Sequence, residues 1–180
     1  MKVHDPGCTS SLTRLSRSAL LLVLSALLAG CLEEEKESTS YVAYNHTDEG
    51  IVSIIVNGEG GILHAEPQSG GGQMCCVILP KKWRPGLTAR IKWRVDGDWL
   101  KDETGKEIIR NGKRVYVPAP WKERTVEVPK YEREMGWFYI HFLPNDEVKV
   151  AVTRYGPGRA EHPYHFEKYR SEYERRRAGN

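Results

Sequence analysis

The stretch Thr88–Val95, TARIKWRV, alternates residue by residue. Ile91, Trp93 and Val95 take one face, and Arg90, Lys92 and Arg94 take the other. Strict alternation is the signature of a half-buried strand, because successive side chains leave a strand on opposite sides. The same period recurs on both sides of this segment. MCCVIL (Met74–Leu79) reads as a buried strand. WFYIHF (Trp137–Phe142), a turn at LPND and EVKVAVTR (Glu147–Arg154) read as a hairpin with Val148, Val150 and Val152 facing in. YVAYNH (Tyr41–His46) and IVSIIV (Ile51–Val56) are predicted to pair as a hairpin across TDEG, and Asn57–Gly72 to form a glycine-rich loop. Asn111-Gly112 marks a further hairpin, since both turn positions favour positive φ. RTVEV (Arg124–Val128) is stopped by Pro129. A helix with a thin apolar stripe is expected only in the tail, over Tyr164–Arg177. About eight to ten short strands with regular turns predict an all-β fold, an antiparallel sandwich or a partly open barrel.

The N-terminus has a different character. Lys2, Arg14 and Arg17 outweigh Asp5, and the apolar run ALLLVLSALL (Ala19–Leu28) follows. This ten-residue segment, nine of its residues apolar, suits a secretory signal and is too short to span a bilayer as a helix. The run closes on LAGC (Leu28–Cys31), which resembles the bacterial lipoprotein signal. That resemblance implies that Cys31 becomes a diacylglycerol-bearing first residue. Leu32 stands where aspartate would imply inner-membrane retention, so the periplasmic face of the outer membrane is expected. The expected organisation is a signal over 1–30, a lipidated tether over 31–40, a β-domain over 41–158 and a charged tail over 159–180. The full chain carries a formal charge of +3. Removing the signal, with three basic groups and one acid, leaves +1. A near-neutral domain with this address predicts no nucleic-acid partner.

With Cys8 in the signal and Cys31 acylated, Cys75 and Cys76 remain. Neighbours on a strand point to opposite faces, and a bridge between them departs from ordinary disulfide geometry. The leading expectation is a pair of reduced structural thiols, with a vicinal disulfide as the alternative. Zinc would need two further ligands, and no other cysteine supplies them. No metal and no cofactor are expected.

Residues that would carry catalysis are sparse. There is no G-x-S-x-G elbow and no H-E-x-x-H. His46 lies near Asp48, but the segment reads as a strand entering a turn, with the aspartate bonding nearby backbone. HPYH (His162–His165) reads as a solvated surface segment, and His141 as part of an aromatic row if Trp137 and Tyr139 share its face. An enzyme is not expected. Binding has more support. Gln68–Val95 contains no acid, yet holds Lys81, Lys82, Arg84, Arg90, Lys92 and Arg94, and over Leu79–Trp99 these interleave with Trp83, Trp93 and Trp99. Arg and Trp dominate interface hot spots because they desolvate large areas and keep a directed polar end. Trp83, Arg84, Arg90, Lys92 and Arg94 are therefore the candidate partner-binding residues, with Trp93 assigned to the core.

YNHTDEGI, GGGQMCCVILPKKWRPGLTARIKW, TVEVPKY, FYIHFLPNDEVKVAV and YGPG, taken in order over about Tyr41–Gly158, resemble a bacterial lipoprotein family catalogued as a domain of unknown function. Its members resemble immunity proteins encoded beside type VI secretion effectors, notably periplasmic phospholipase toxins. The resemblance implies an envelope protein whose partner is a cognate phospholipase effector, which it binds and occludes. It carries over no catalytic residues. A second expectation, from another class, is a structural or accessory envelope lipoprotein binding peptidoglycan or an assembly partner. A third, a cysteine-based redox enzyme, requires a reactive thiol.

Overall fold

The alternation at TARIKWRV is realised as a central strand of a two-sheet sandwich. The computed structural model describes residues 34–61 and 64–179, so Cys31 and the signal-like segment lie outside the described residues. The strands are β1 (Lys36–Asn45), β2 (Ile51–Val56), β3 (Glu59–Gly61), β4 (Ser69–Pro80), β5 (Thr88–Val95), β6 (Asp98–Trp99), β7 (Ile109–Arg110), β8 (Lys113–Arg114), β9 (Tyr116–Val117), β10 (Lys122–Glu127), β11 (Trp137–Leu143) and β12 (Glu147–Thr153). One helix, α1 (Phe166–Ala178), follows. The first sheet has the order β12-β11-β1-β4 and the second β10-β5-β2-β3. Two short ladders, β6 with β9 and β7 with β8, complete the set. Among the described residues the fold is all-β with one short C-terminal helix, and the sheets do not close into a barrel.

The core lies between the sheets. Phe138, Ile140, Phe142 and the predicted Val148, Val150 and Val152 enter from the first sheet. Ile54, Val56, Ile91 and Trp93 meet them from the second. Trp93 is buried with its ring centroid 5.4 Å from that of Phe142. Each such side chain, fully buried, contributes roughly 1.5–3 kcal/mol, so this seam supplies most of the stability.

The structure corrects three local expectations. The segments around TDEG do not form a hairpin, because β1 belongs to the first sheet and β2 to the second. Asn45 ties the corner between them. Its Nδ2 donates to the carbonyls of Glu49 (2.7 Å) and Ala65 (3.1 Å), and its Oδ1 accepts from the Thr47 amide (3.0 Å). Strand β1 also starts at Lys36 instead of Tyr41, which replaces the second half of the 31–40 tether with paired backbone. The polar residues Lys36–Ser38 need no apolar pattern there, since their ladder to Ile78–Pro80 is made by main chain. Moreover, β1 runs parallel to β11, so the first sheet is mixed.

The third correction concerns the glycines. Gly70–Gly72 belong to the twelve-residue strand β4, not to a loop. Two residues, Gly71 and Gly72, stand opposite the single Ala43, which makes a bulge. A side chain at Gly70 would place Cβ 2.9 Å from the Tyr44 ring, so that ring occupies the space a larger residue would need.

Both predicted tight turns are present. Asn111 and Gly112 adopt φ of 51° and 72° between β7 and β8, and Pro144–Asp146 close the β11–β12 hairpin. The tail does more than extend into solvent. Residues after Tyr155 fold over the outer face of the first sheet, where Tyr139 and His141 contact His162 and Tyr164. From Phe138 to Leu143 strand β11 is thus buried on both faces. Just before it, a Cβ on Gly136 would overlap the carbonyl of Thr153 and the amide nitrogen of Arg154. Backbone cannot step aside, so Gly136→Ala is expected to destabilise the protein by about 2 kcal/mol or more, read as a lower urea midpoint.

Candidate functional site

Strand β5 lies between β10 and β2, which fixes its outward side chains on a rigid support. Arg90 stands opposite Thr125, Lys92 opposite Glu123 and Ile55, and Arg94 opposite Ser53. The Arg90 amide donates to Asn57 Oδ1 at 2.9 Å, which pins this end of the strand. The Lys92 ammonium lies 5.1 Å and the Arg94 guanidinium 5.0 Å from the ring centroid of Trp121. Two cations over one indole orient both side chains, each contact contributing about 0.5–1 kcal/mol at an exposed site. Among the described residues, none of Arg90, Lys92 and Arg94 has a carboxylate within ion-pair distance. A shallow cleft of about 260 Å³ opens beside them, lined by Ile55, Gly58, Arg90, Lys92 and Glu123.

The five predicted contact residues therefore separate. Arg90, Lys92 and Arg94 form one row on the outer face of the second sheet. Trp83 is half-buried against the core, its Nε1 donating to the Val128 carbonyl at 2.8 Å, so its surface goes into packing. Arg84 is exposed in the connection between β4 and β5, off the row. Trp121, which sequence reasoning missed, completes the row instead. Its signal was weak: a lone tryptophan after PAP, ahead of a charged strand.

Cys75 and Cys76 are joined as a vicinal disulfide, which replaces the expected reduced thiols. They also do not serve the core, since Cys75 is exposed and Cys76 half-buried. Both stand opposite Ser40 at a second bulge of β4, between the Thr39–Val77 and Tyr41–Met74 pairs. The extra residue breaks the alternation, and the inward positions fall to Val77 and Leu79.

On the outer face of the first sheet, His46, His141 and His162 are all buried. This overturns the solvated reading of HPYH at His162, which sits over Tyr139, and Tyr164 packs beside His141, while Pro163 and His165 stay exposed as expected. Trp137, Tyr139 and His141 do share a face, with the Trp137 and Tyr139 rings 6.1 Å apart. His46 Nε2 and His141 Nδ1 are 3.0 Å apart with ring planes 6° from parallel and centroids 5.3 Å apart, so one proton is shared edge to edge. His162 Nδ1 accepts from the Tyr164 amide at 3.0 Å, which places the proton of the neutral ring on Nε2. His46 Nδ1, His141 Nε2, His162 Nε2 and the Tyr139 hydroxyl are buried without a protein partner. Among the described residues, no three His, Cys, Asp or Glu side chains are grouped to hold a metal ion.

Burial disfavours the charged imidazolium. It lowers His46 and His162 from the ordinary 6.5 to about 4, and His141 to about 2 with His46 and His162 adding to the effect. Burial likewise pushes the Tyr139 phenol up to about 12.

A sequence profile described as "Protein of unknown function (DUF3304)" matches residues 44–150. The chain belongs to the DUF3304 family. No curated protein and no solved structure matches it. The DUF3304 match runs from Tyr44 in β1 to Val150 in β12 and includes the basic row, the vicinal disulfide, His46 and His141. His162 and α1 lie beyond it, so the segment that covers the first sheet is outside the matched DUF3304 region.

The three histidines give a pH prediction. In the unfolded chain they take protons near pH 6.5, while the folded protein resists to about pH 4 or below. The unfolded state thus binds more protons in this window, and stability is lost as pH falls from about 6.5 toward 4. Imidazole NMR titration should find all three rings neutral at pH 5. A ring titrating near 6.5 would remove it from the buried network.

Proposed function

We propose that this chain is an envelope-anchored binding protein, an immunity lipoprotein that docks on and occludes a type VI secreted antibacterial phospholipase. One observation carries the binding part of this reading: Arg90, Lys92 and Arg94 lie side by side on a rigid strand, with Trp121 held under two of them and, among the described residues, no carboxylate paired to any. Pre-oriented cations lose little side-chain entropy on binding and meet an acidic surface at once. The choice of partner rests on the resemblance carried by the ordered motifs from YNHTDEGI to YGPG. Occlusion needs no reacting groups, only a surface broad enough for tight association. Nanomolar affinity corresponds to about −12 kcal/mol, within reach of an ordinary interface with a few buried anchors.

The anchor is assigned to Cys31, which would bear the diacylglycerol. With β1 starting at Lys36, four residues separate that cysteine from the folded domain. Fully extended, a link of that length reaches roughly 15 Å, so the domain would sit against the membrane surface.

The test uses the purified chain and a purified type VI phospholipase effector of the producing strain. Wild-type protein is expected to suppress phospholipid hydrolysis at equimolar dose. Arg90→Glu with Arg94→Glu should weaken binding at least about tenfold, with the melting temperature kept, because both side chains point away from the core. Full inhibition by the charge-reversed protein would move the interface off this face. A wild-type chain that neither binds nor inhibits the lipase would end the immunity reading. In cells, Cys31→Ala should shift the protein from the membrane to the soluble fraction.

A further inference from the structure

From Asp96 to Trp121 not one residue is buried, and none belongs to the sandwich core except half-buried Ala119 at its edge. Yet the excursion is well ordered. Leu100 donates to the Val115 carbonyl (2.7 Å), Val115 to Ile108 (3.2 Å) and Ile108 to Leu100 (2.8 Å). Asp102 Oδ1 accepts from Thr104 Oγ1 (2.6 Å) and from the amides of Thr104 (2.9 Å) and Lys106 (3.0 Å), which closes the inner turn. At the base, the Tyr116 hydroxyl donates to Asp96 Oδ1 (2.8 Å) and accepts from the Gly97 amide (2.7 Å). A Cβ on Gly97 would overlap the Val117 carbonyl, so the two legs of the arm approach as only glycine allows.

An arm organised by its own hydrogen bonds, with no residue fully buried, adds little to the core. What it presents is apolar: Ile109 is 57% exposed beside the tip, and Tyr116 and Val117 are exposed toward the base. Its outer turn is basic, with Arg110 and Lys113 flanking Asn111-Gly112. Arg114 is already engaged, lying 4.1 Å from the Trp99 ring centroid and 3.6 Å from Glu107. The arm leaves the sheet two residues after Arg94 and returns at Trp121, on which Arg94 lies. Arm and basic row are therefore continuous.

We infer that the 96–121 arm is the inserting element of the interface. Ile109 enters an apolar cleft of the partner protein, and Arg110 and Lys113 meet an acidic rim around it. The assignment rests on the immunity reading above, whose partner is a phospholipase. Charge selects the rim, since the tip turn carries cations and no acid, and the exposed isoleucine selects the cleft.

Calorimetry with the purified phospholipase effector and the full chain tests this. Ile109→Asp is expected to weaken binding about 30-fold, the effect of losing a hot-spot residue. Arg110→Glu with Lys113→Glu should slow association about tenfold, an effect that shrinks in high salt. Both variants should keep the wild-type melting temperature, because the altered side chains are exposed. Wild-type binding with both variants unchanged would overturn the arm assignment and leave the immunity reading standing. Failure of the wild-type chain to bind the lipase would overturn both. Vesicles of phosphatidylglycerol serve as the second probe. Retention of the wild-type chain on them, lost in Arg110→Glu with Lys113→Glu, together with unchanged lipase binding, would assign the arm to lipid and overturn the inference.

Discussion

From Phe138 to Leu143 strand β11 has no solvent face, and much of the molecule follows from that constraint. Phe138, Ile140 and Phe142 fill the sandwich from one side, while Tyr139 and His141 on the other side are fully covered. An antiparallel sandwich normally leaves its outer faces wet. Here the outer face of the first sheet carries large aromatic and imidazole rings, which would be costly to leave exposed together. The C-terminal segment provides the cover, with His162 and Tyr164 over β11 and with Phe166 and Tyr169 over His46. Along most of β11 the first sheet is thereby closed on both sides. The outer face of the second sheet stays open, and there the side chains are Arg90, Lys92 and Arg94.

The covering segment has an unusual chemistry for a helix seat. The rings packed there are polar, and their nitrogens are incompletely partnered. A neutral imidazole tolerates such a site, whereas an imidazolium does not, because its charge would be taken from water without a counter-ion. The seat of α1 is therefore conditional on proton concentration in a way that the aliphatic seam between the sheets is not. The helix's own sequence is charged on most faces.

What could be read in the sequence was what period and turn chemistry encode. TARIKWRV, EVKVAVTR, Asn111-Gly112 and LPND each declare themselves locally, and each took its expected form. The corner at Asn45 did not declare itself. Alternation says that a segment is a strand but not which sheet takes it, so β1 and β2 looked like a hairpin. The start of β1 was hidden because main-chain pairing at Lys36–Ser38 places no demand on side-chain type. The cysteines misled for a related reason: alternation assigns one of two neighbours to the core, and a bulge cancels that rule. His162 sat in a short segment without period, and its burial comes from tertiary packing alone. Of the basic row, Arg90, Lys92 and Arg94 were legible. Trp121 was not, because a cation–aromatic contact across strands leaves no spacing to count.

On the binding role proposed above, the open face and the arm would divide the work of recognition between them. A row of cations on a central strand is good at encounter and orientation, since its field extends to about a Debye length and its geometry is fixed by β10 and β2. It is poor at generating lasting affinity, because each charge must shed water to make contact. The arm has the complementary character. Its exposed Ile109, Tyr116 and Val117 gain from desolvation, and their backbone is already ordered by the Asp102 turn and the Tyr116–Asp96 bond, so little entropy remains to be lost. The two meet at Trp121, which belongs to the arm by sequence and to the row by contact. A partner engaging both would be drawn in by the row and retained by the arm, and a change at Trp121 would loosen both at once.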